Sequence, residues 1–438
     1  MKNKNNKMNV TQLTMTTAIN MLGAGIVMLP TTLAEVGTMS ILSWIVTTSG
    51  SLALAYALSK CGAFSKNPAG MGGYAEYSFG KSGGFIANYT YGISLVIANV
   101  AIALSAVNYT SVLLNKNLSP VSSALFTILI LWLATTLNFK GARITGKIEF
   151  LTVWGVIIPV LIISIFGWFW FSGDLYIRSW NPNHFPFFQG VGKSISITLW
   201  AFLGLESASV NMDAIENPQK NVPIACLAGT IISAVIYIVS TNVIAGIVPN
   251  LDLLHSNAPF GLAFTTMFNP IVGRIVMASM IIACFGSLLG WQFTIAEVFK
   301  SSALVGYFPK IFGKVSKTDT PVLGLIIITV MQTLLSLMTI SSSLSKQFNI
   351  LVDLAVVTNI IPYLLSMASV NVIQRSAGVE EHKIKFTNFT AFLASLYSLY
   401  ALYSCGAESM LYGSITVFIG FTLYGFISHR FDLEKKLN

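Results

Sequence analysis

Glu206 is the only ionisable side chain in the apolar run 195–210, and it follows Gly204 closely. A charge at the centre of a bilayer costs at least ~2.5 to 3.5 kcal/mol on insertion scales, so such a residue normally faces a cavity, an ion or a partner. No Lys or Arg in the run can pair with it. Either the carboxylate holds something positive, or it is neutralised by a proton or a Ser and merely joins helices. An ammonium group is stabilised by a carboxylate and also by aromatic faces, the latter contributing ~0.5 to 2 kcal/mol depending on desolvation. Trp200 lies six positions before Glu206, and Trp291 closes the small-residue stretch CFGSLLGW, 284–291. Both stand away from span ends, where they serve equally well as a cation cage or as packing.

The backbone around these groups is interrupted at two places. The stretch NMLGAGIVMLP, 20–30, carries Gly23, Ala24 and Gly25 in mid-span, and FLGLE, 202–206, carries Gly204. Glycine is a poor helix former and allows close backbone approach. Discontinuous helices expose amides that hold an anionic group and carbonyls that hold a cationic one, at the midplane between inverted repeats. The glycines of the first span also suit a packing groove for a neighbouring helix.

Other polar residues are less decisive. Tyr91 and Asn99, eight residues apart, lie roughly 80° from each other around a helix. Tyr363 beside Pro362, and Tyr424, can bond a ligand or an adjoining helix. Glu297 and Lys300 are spaced for an i, i+3 pair, and Asp353 is placed near a span end, within reach of water.

The elements that must position these groups follow from composition. Of 438 residues, 54% are hydrophobic and only 9% charged, against roughly 25% charged in ordinary soluble domains. Apolar stretches of bilayer length recur along the whole chain. They predict one transmembrane domain, 1–438, of twelve α-helical spans near residues 10–34, 39–59, 83–113, 121–139, 149–171, 194–211, 223–247, 275–299, 320–339, 348–373, 387–403 and 408–427. Strand-like alternation of the kind a barrel needs is absent.

Assigning the connections alternately to two sides divides the 25 Lys and Arg as 20 against 5. The rich side holds both termini and, among others, Lys60, Lys66, Lys81, Lys140, Lys147, Lys300 and Lys317, which makes it cytoplasmic by the positive-inside rule. The net charge of +9 then reflects loop anchors beside anionic lipid rather than nucleic-acid binding. The hydrophobic run after the N-terminus is too long for a signal-peptide core, so the first span is expected to be retained. Cys61, Cys226, Cys284 and Cys405 lie in or beside apolar spans without paired spacing, which indicates neither a disulfide framework nor a zinc site.

Catalytic motifs are missing too. The chain has no phosphate-binding loop and no His-Glu-x-x-His, and its four histidines fall in loops or span ends. An enzyme or primary pump is not expected, and no cofactor; gradients must drive any transport.

The stretches NMLGAGIVMLP 20–30, GMGGYAE 70–76, TVWGVIIP 152–159, FGWFWF 166–171, TLWAFLGLESA 198–208, ENP 216–218 and GWQFTIA 290–296 resemble the amino acid-polyamine-organocation superfamily, in its basic amino acid/polyamine antiporter branch. The resemblance implies five-plus-five inverted repeats, about 10–171 and 194–373, with broken spans one and six and two added helices at about 387–427. It implies exchange of putrescine for ornithine across a bacterial inner membrane, with proton-coupled putrescine uptake as a second mode and a homo-oligomer left open. Cadaverine for lysine, or agmatine for arginine, are its alternatives within the fold, and a sodium-coupled neutral amino acid importer or a receptor or channel lies outside it. By resemblance Gly23, Ala24 and Gly25 supply unwound backbone, Glu206 holds an amine, and Trp200 and Trp291 line and gate the site. Tyr91, Asn99 and Tyr363 match pocket or gate positions, while Cys61, Lys300 and Tyr424 match substrate-affecting ones, Lys300 as a partner for the ornithine carboxylate. Phe421 departs from a Trp of the family's putrescine carriers.

Overall fold

A computed structural model describes residues 8–207, 215–338, 340 and 344–437, with backbone alone for residues 24, 344, 345, 430 and 432–437. Lys2, Lys4, Lys7 and the end of the expected sixth span, 208–211, lie outside the described residues. The chain is a helical polytopic membrane protein, and each expected span contains helix among the described residues.

The first span is broken. Helix α1 (Val10–Leu22) starts at a capping box, in which the Asn9 side chain accepts from Gln12 N and the Gln12 side chain accepts from Asn9 N. It stops at Gly23, a short 3-10 turn covers Ala24–Ile26, and α2 (Leu29–Leu33) resumes with Pro30 near its start. A single long helix, α3 (Ser40–Phe64), returns across the molecule. The third, α4 (Gly70–Leu113), begins thirteen residues earlier than the span expected at 83, because Gly80, at φ 63°, joins a preceding helical segment to it through a kink.

Helix α5 (Pro120–Asn138) follows, and then the fifth span divides at Val153 into α6 (Ala142–Thr152) and α7 (Trp154–Phe166). Two short helices, α8 (Gly173–Arg178) and α9 (Phe187–Lys193), lie over one end of the bundle. The sixth span is the second broken one: α10 (Ile195–Ala201) ends after seven residues, and turns carry the chain through Gly204 to Ser207. Thereafter come α11 (Pro218–Ile247), α12 (Asn250–Leu254), α13 (Pro259–Met267), α14 (Pro270–Leu304), α15 (Val322–Met338), α16 (Leu344–Ser376), α17 (Glu381–Ser404) and α18 (Gly406–Leu437).

Eight helices among the described residues meet the length and apolarity of a membrane crossing, the first at Gly37–Phe64 and the last at Gly406–His429. The other expected spans are the two broken ones, α17, and α15, which at 17 residues is short. The most buried of the eight is Gly70–Leu113, which packs along α16 and α14, while α11 packs on α1 and α3. Thus the broken helices sit inside a scaffold of long ones. All four cysteines are free and buried, and no cluster of potential metal ligands occurs among the described residues.

One end of the bundle is tied together by hydrogen bonds. Thr38 N and Met39 N donate to the carbonyls of Ser179 and Trp180 at 2.9 Å, and Thr38 Oγ1 donates to Tyr176 O at 2.9 Å. Lys193 pairs with Glu35 at 2.6 Å on the same face. The other end, where the loops rich in lysine lie, holds a vestibule of about 690 Å³ that reaches exposed Ala142, Thr318 and Asp319 at its mouth.

Candidate functional site

The two breaks meet. Tyr237 of α11 is fully buried, and its hydroxyl is shared between Met21 O at the end of α1 and, at 2.8 Å, Ala201 O at the end of α10. These are carbonyls that lose their intrahelical partners where a helix stops, so one side chain holds both interruptions in register. Trp44 stacks on the Tyr237 ring at 5.7 Å, and Phe202 meets it edge-on at 5.6 Å.

Gly204 lies at φ 104°, a conformation that side-chain-bearing residues rarely adopt. A Cβ there would stand 3.2 Å from Trp291 Cζ2 and 3.5 Å from Asn20 O. The bare glycine therefore lets α14 and the first break approach the turn that carries Glu206. Gly23 makes a similar approach, since a Cβ on it would lie 2.7 Å from Ser287 Oγ.

Glu206 is 2% exposed. Tyr91 donates to its Oε1 at 2.9 Å, Tyr363 to its Oε2 at 2.9 Å, and Gly204 N to Oε2 at 3.1 Å. These donors come from α4, α16 and its own turn, so three elements fix one carboxylate. It lines a small central cavity of about 30 Å³ together with Trp200, Trp291, Gly25, Asn20 and Asn359. Trp200 packs edge-on against Phe348 at 6.3 Å, and its Nε1 is buried with no acceptor among the described residues. Asn20 and Trp291 belong to both the central cavity and the vestibule, and Tyr91 also lines the latter. The Trp291 ring thus stands between the open compartment and the carboxylate.

Asn99 is turned elsewhere. Its Nδ2 donates to Gln292 Oε1 at 2.8 Å, and Gln292 Nε2 lies 3.0 Å from both Thr135 Oγ1 and Thr329 Oγ1 and 2.9 Å from Gln332 Oε1. This buried network ties α4, α5, α14 and α15 together one residue beyond Trp291. Cys61 is buried with Sγ 3.6 Å from Ser366 O and does not line the central cavity. Lys300 pairs with Glu297 at 3.4 Å, the expected i, i+3 contact, and with Asp319 at 3.2 Å, where both carboxylates line the vestibule. Tyr424 packs near Phe85 at 5.5 Å and stacks on Phe431 at 6.3 Å; the latter ring also meets Tyr307, whose hydroxyl donates to Glu76. Asp353, expected within reach of water, is half-buried and faces Ser196 of α10, because α16 packs against that short helix.

Of the residues singled out in the sequence, the structure brings together Gly25, Tyr91, Trp200, Glu206, Trp291 and Tyr363, and sets Asn99, Cys61, Lys300 and Tyr424 apart from the central cavity. Asn20, Tyr237, Gln292 and Asn359 escaped notice. Asn359 carried a signal, being a polar residue four positions before Tyr363 and so on the same helix face.

A helical membrane bundle with a carboxylate held at two helix breaks, beside a vestibule open at one end, has the form of a permease. The chain belongs to the amino acid permease family, whose profile matches residues 8–427. It is a transporter and not an enzyme. It is 66% identical over 435 residues, 99% of this chain and 100% of the relative, to the putrescine transporter PotE of Haemophilus influenzae. Identity to the putrescine transporter PotE of Escherichia coli is 64% over 433 residues, covering 99% of both chains. The cadaverine/lysine antiporter of Escherichia coli is 32% identical over 354 residues, 79% of each chain.

Proposed function

We propose that the protein exchanges putrescine for ornithine across the bacterial inner membrane, with proton-coupled putrescine uptake as a second mode and both termini in the cytoplasm. The observation that carries this reading is Glu206, buried beside Trp200 and Trp291 at the meeting of two helix breaks. The putrescine transporters at 64% and 66% identity support the diamine. The breaks in α1 and α10 are read as corresponding points of two inverted repeats, about 10–171 and 194–373, with about 387–427 added.

Putrescine and ornithine share a chain ending in a primary ammonium, so one carboxylate between aromatic faces serves both. Tyr91 and Tyr363 hold the carboxylate oxygens in place, and the ammonium approaches from the cavity side. The central cavity, at about 30 Å³, is the size of one water. Admission of a four-carbon diamine therefore requires Trp291 to swing away, which makes its ring the gate on the lysine-rich side. Ornithine adds a carboxylate that needs donors. The unwound backbone at Gly23, Ala24 and Gly25 offers amides beside the cavity, and Lys300, paired with Glu297 and Asp319 of the vestibule wall, offers an ammonium further out. Putrescine is a dication and ornithine a monocation, so one-for-one exchange moves one net charge and responds to membrane potential by about 2.3 kcal/mol per 100 mV.

Uptake of labelled putrescine into vesicles preloaded with ornithine, lysine or arginine tests the proposal. Ornithine is expected to accelerate uptake most. Preference for lysine or arginine instead would assign the cadaverine or agmatine pair, and sodium-dependent uptake without counterflow would overturn exchange altogether.

A further inference from the structure

Asn359 sits on α16 one turn before Tyr363 and is 1% exposed, yet it lines the central cavity beside Glu206. Its orientation follows from the donors and acceptors around it. A carboxylate supplies only acceptors, so the Tyr363 hydroxyl spends its proton on Glu206 Oε2, at 2.9 Å. The Tyr363 oxygen can then only receive. Asn359 Nδ2, 3.4 Å away, is the group that gives. With the amide nitrogen committed to Tyr363, the network itself decides which way the amide lies. Oδ1 is left buried with no partner among the described residues.

A buried carbonyl oxygen without a donor is costly, and at a cavity wall a ligand N–H relieves that cost. Resting on the reading of Glu206 as an ammonium acceptor, we propose that Asn359 Oδ1 is a second acceptor for the same primary ammonium. A primary ammonium has three N–H donors, and a single carboxylate whose oxygens already serve two tyrosines does not use them all. Because Asn359 is neutral, it adds no general attraction for cations. It rewards the number of N–H groups, and so favours the primary amines of diamines and of ornithine over N-alkylated ones.

Putrescine titration of the purified full-length protein and two variants tests this. Asn359→Leu keeps the size of the side chain and removes the acceptor, and should weaken binding on the order of tenfold, as loss of one charge-assisted hydrogen bond does. Asn359→Asp keeps an acceptor at that place and should restore most of the affinity. A Leu variant that binds like wild type, or Leu and Asp variants equally impaired, overturns the assignment. Should the Leu variant not insert, the wild type decides: N-methylated putrescine that binds as tightly as putrescine refutes the role of Asn359, and weaker binding upholds it. Wild-type protein that binds no putrescine refutes the diamine reading and this inference together, whereas wild-type binding with an unaffected Leu variant refutes only Asn359.

Discussion

Replacing Glu206 by Gln separates charge from shape at the centre of the molecule. The Gln oxygen can take the place of Oε2, where it continues to accept from Tyr363 and from Gly204 N. Its amide nitrogen then occupies the place of Oε1, and the Tyr91 hydroxyl, 2.9 Å away, turns round to accept instead of donate. Of the bonds to Tyr91, Tyr363 and Gly204 one reverses and two are kept, so the variant should insert and unfold much as wild type does. The ligand fares differently, because a buried cation that loses its charged partner is destabilised by about 3 to 5 kcal/mol. Putrescine affinity should therefore fall by a factor of roughly 10² to 10³ or more. Titration calorimetry on protein in detergent, beside a thermal unfolding curve, reads both quantities. Wild-type affinity in a folded Gln variant would refute the role assigned to the carboxylate.

Trp291→Leu removes the aromatic face that covers Glu206 from the vestibule and should weaken putrescine binding by about 2- to 30-fold, less than the Gln variant; an unaltered binding constant would remove that ring from the site. Tyr237→Phe withdraws the hydroxyl shared by Met21 O and Ala201 O, at a cost of about 1 to 3 kcal/mol for buried acceptors left without a donor. The unfolding midpoint in detergent should fall and exchange should slow, and a variant unchanged in both would show that the breaks do not depend on this clamp.

Much of the site was legible because a membrane makes polar residues conspicuous. Glu206 stood alone in an apolar run, and Gly204 marked the break that its φ of 104° now explains. Tyr91 and Asn99 looked alike in the sequence, since both are polar groups in one helix. Only the neighbours told them apart: Tyr91 meets Glu206 of the broken turn, whereas Asn99 meets Gln292 of α14. Tyr237 was invisible for the same reason, as a Tyr in a long apolar helix gives no sign that its hydroxyl ends on two carbonyls from elsewhere. Asp353, read as reaching water, stays partly exposed, but its packing partner α10, distant in sequence, could not be foreseen.

By itself the chain of residues determined the solvent of this protein, its helical class and the places where two helices must yield. Bilayer-length apolar stretches and glycines are local properties, and hydrocarbon leaves the backbone few options. Tertiary structure alone decided which polar groups converge on Glu206, that Trp291 lines both the central cavity and the vestibule, and that Lys300 and Tyr424 lie away from the former. Those outcomes depend on contacts between helices far apart in the chain, and periodicity within one helix carries no information about what faces it.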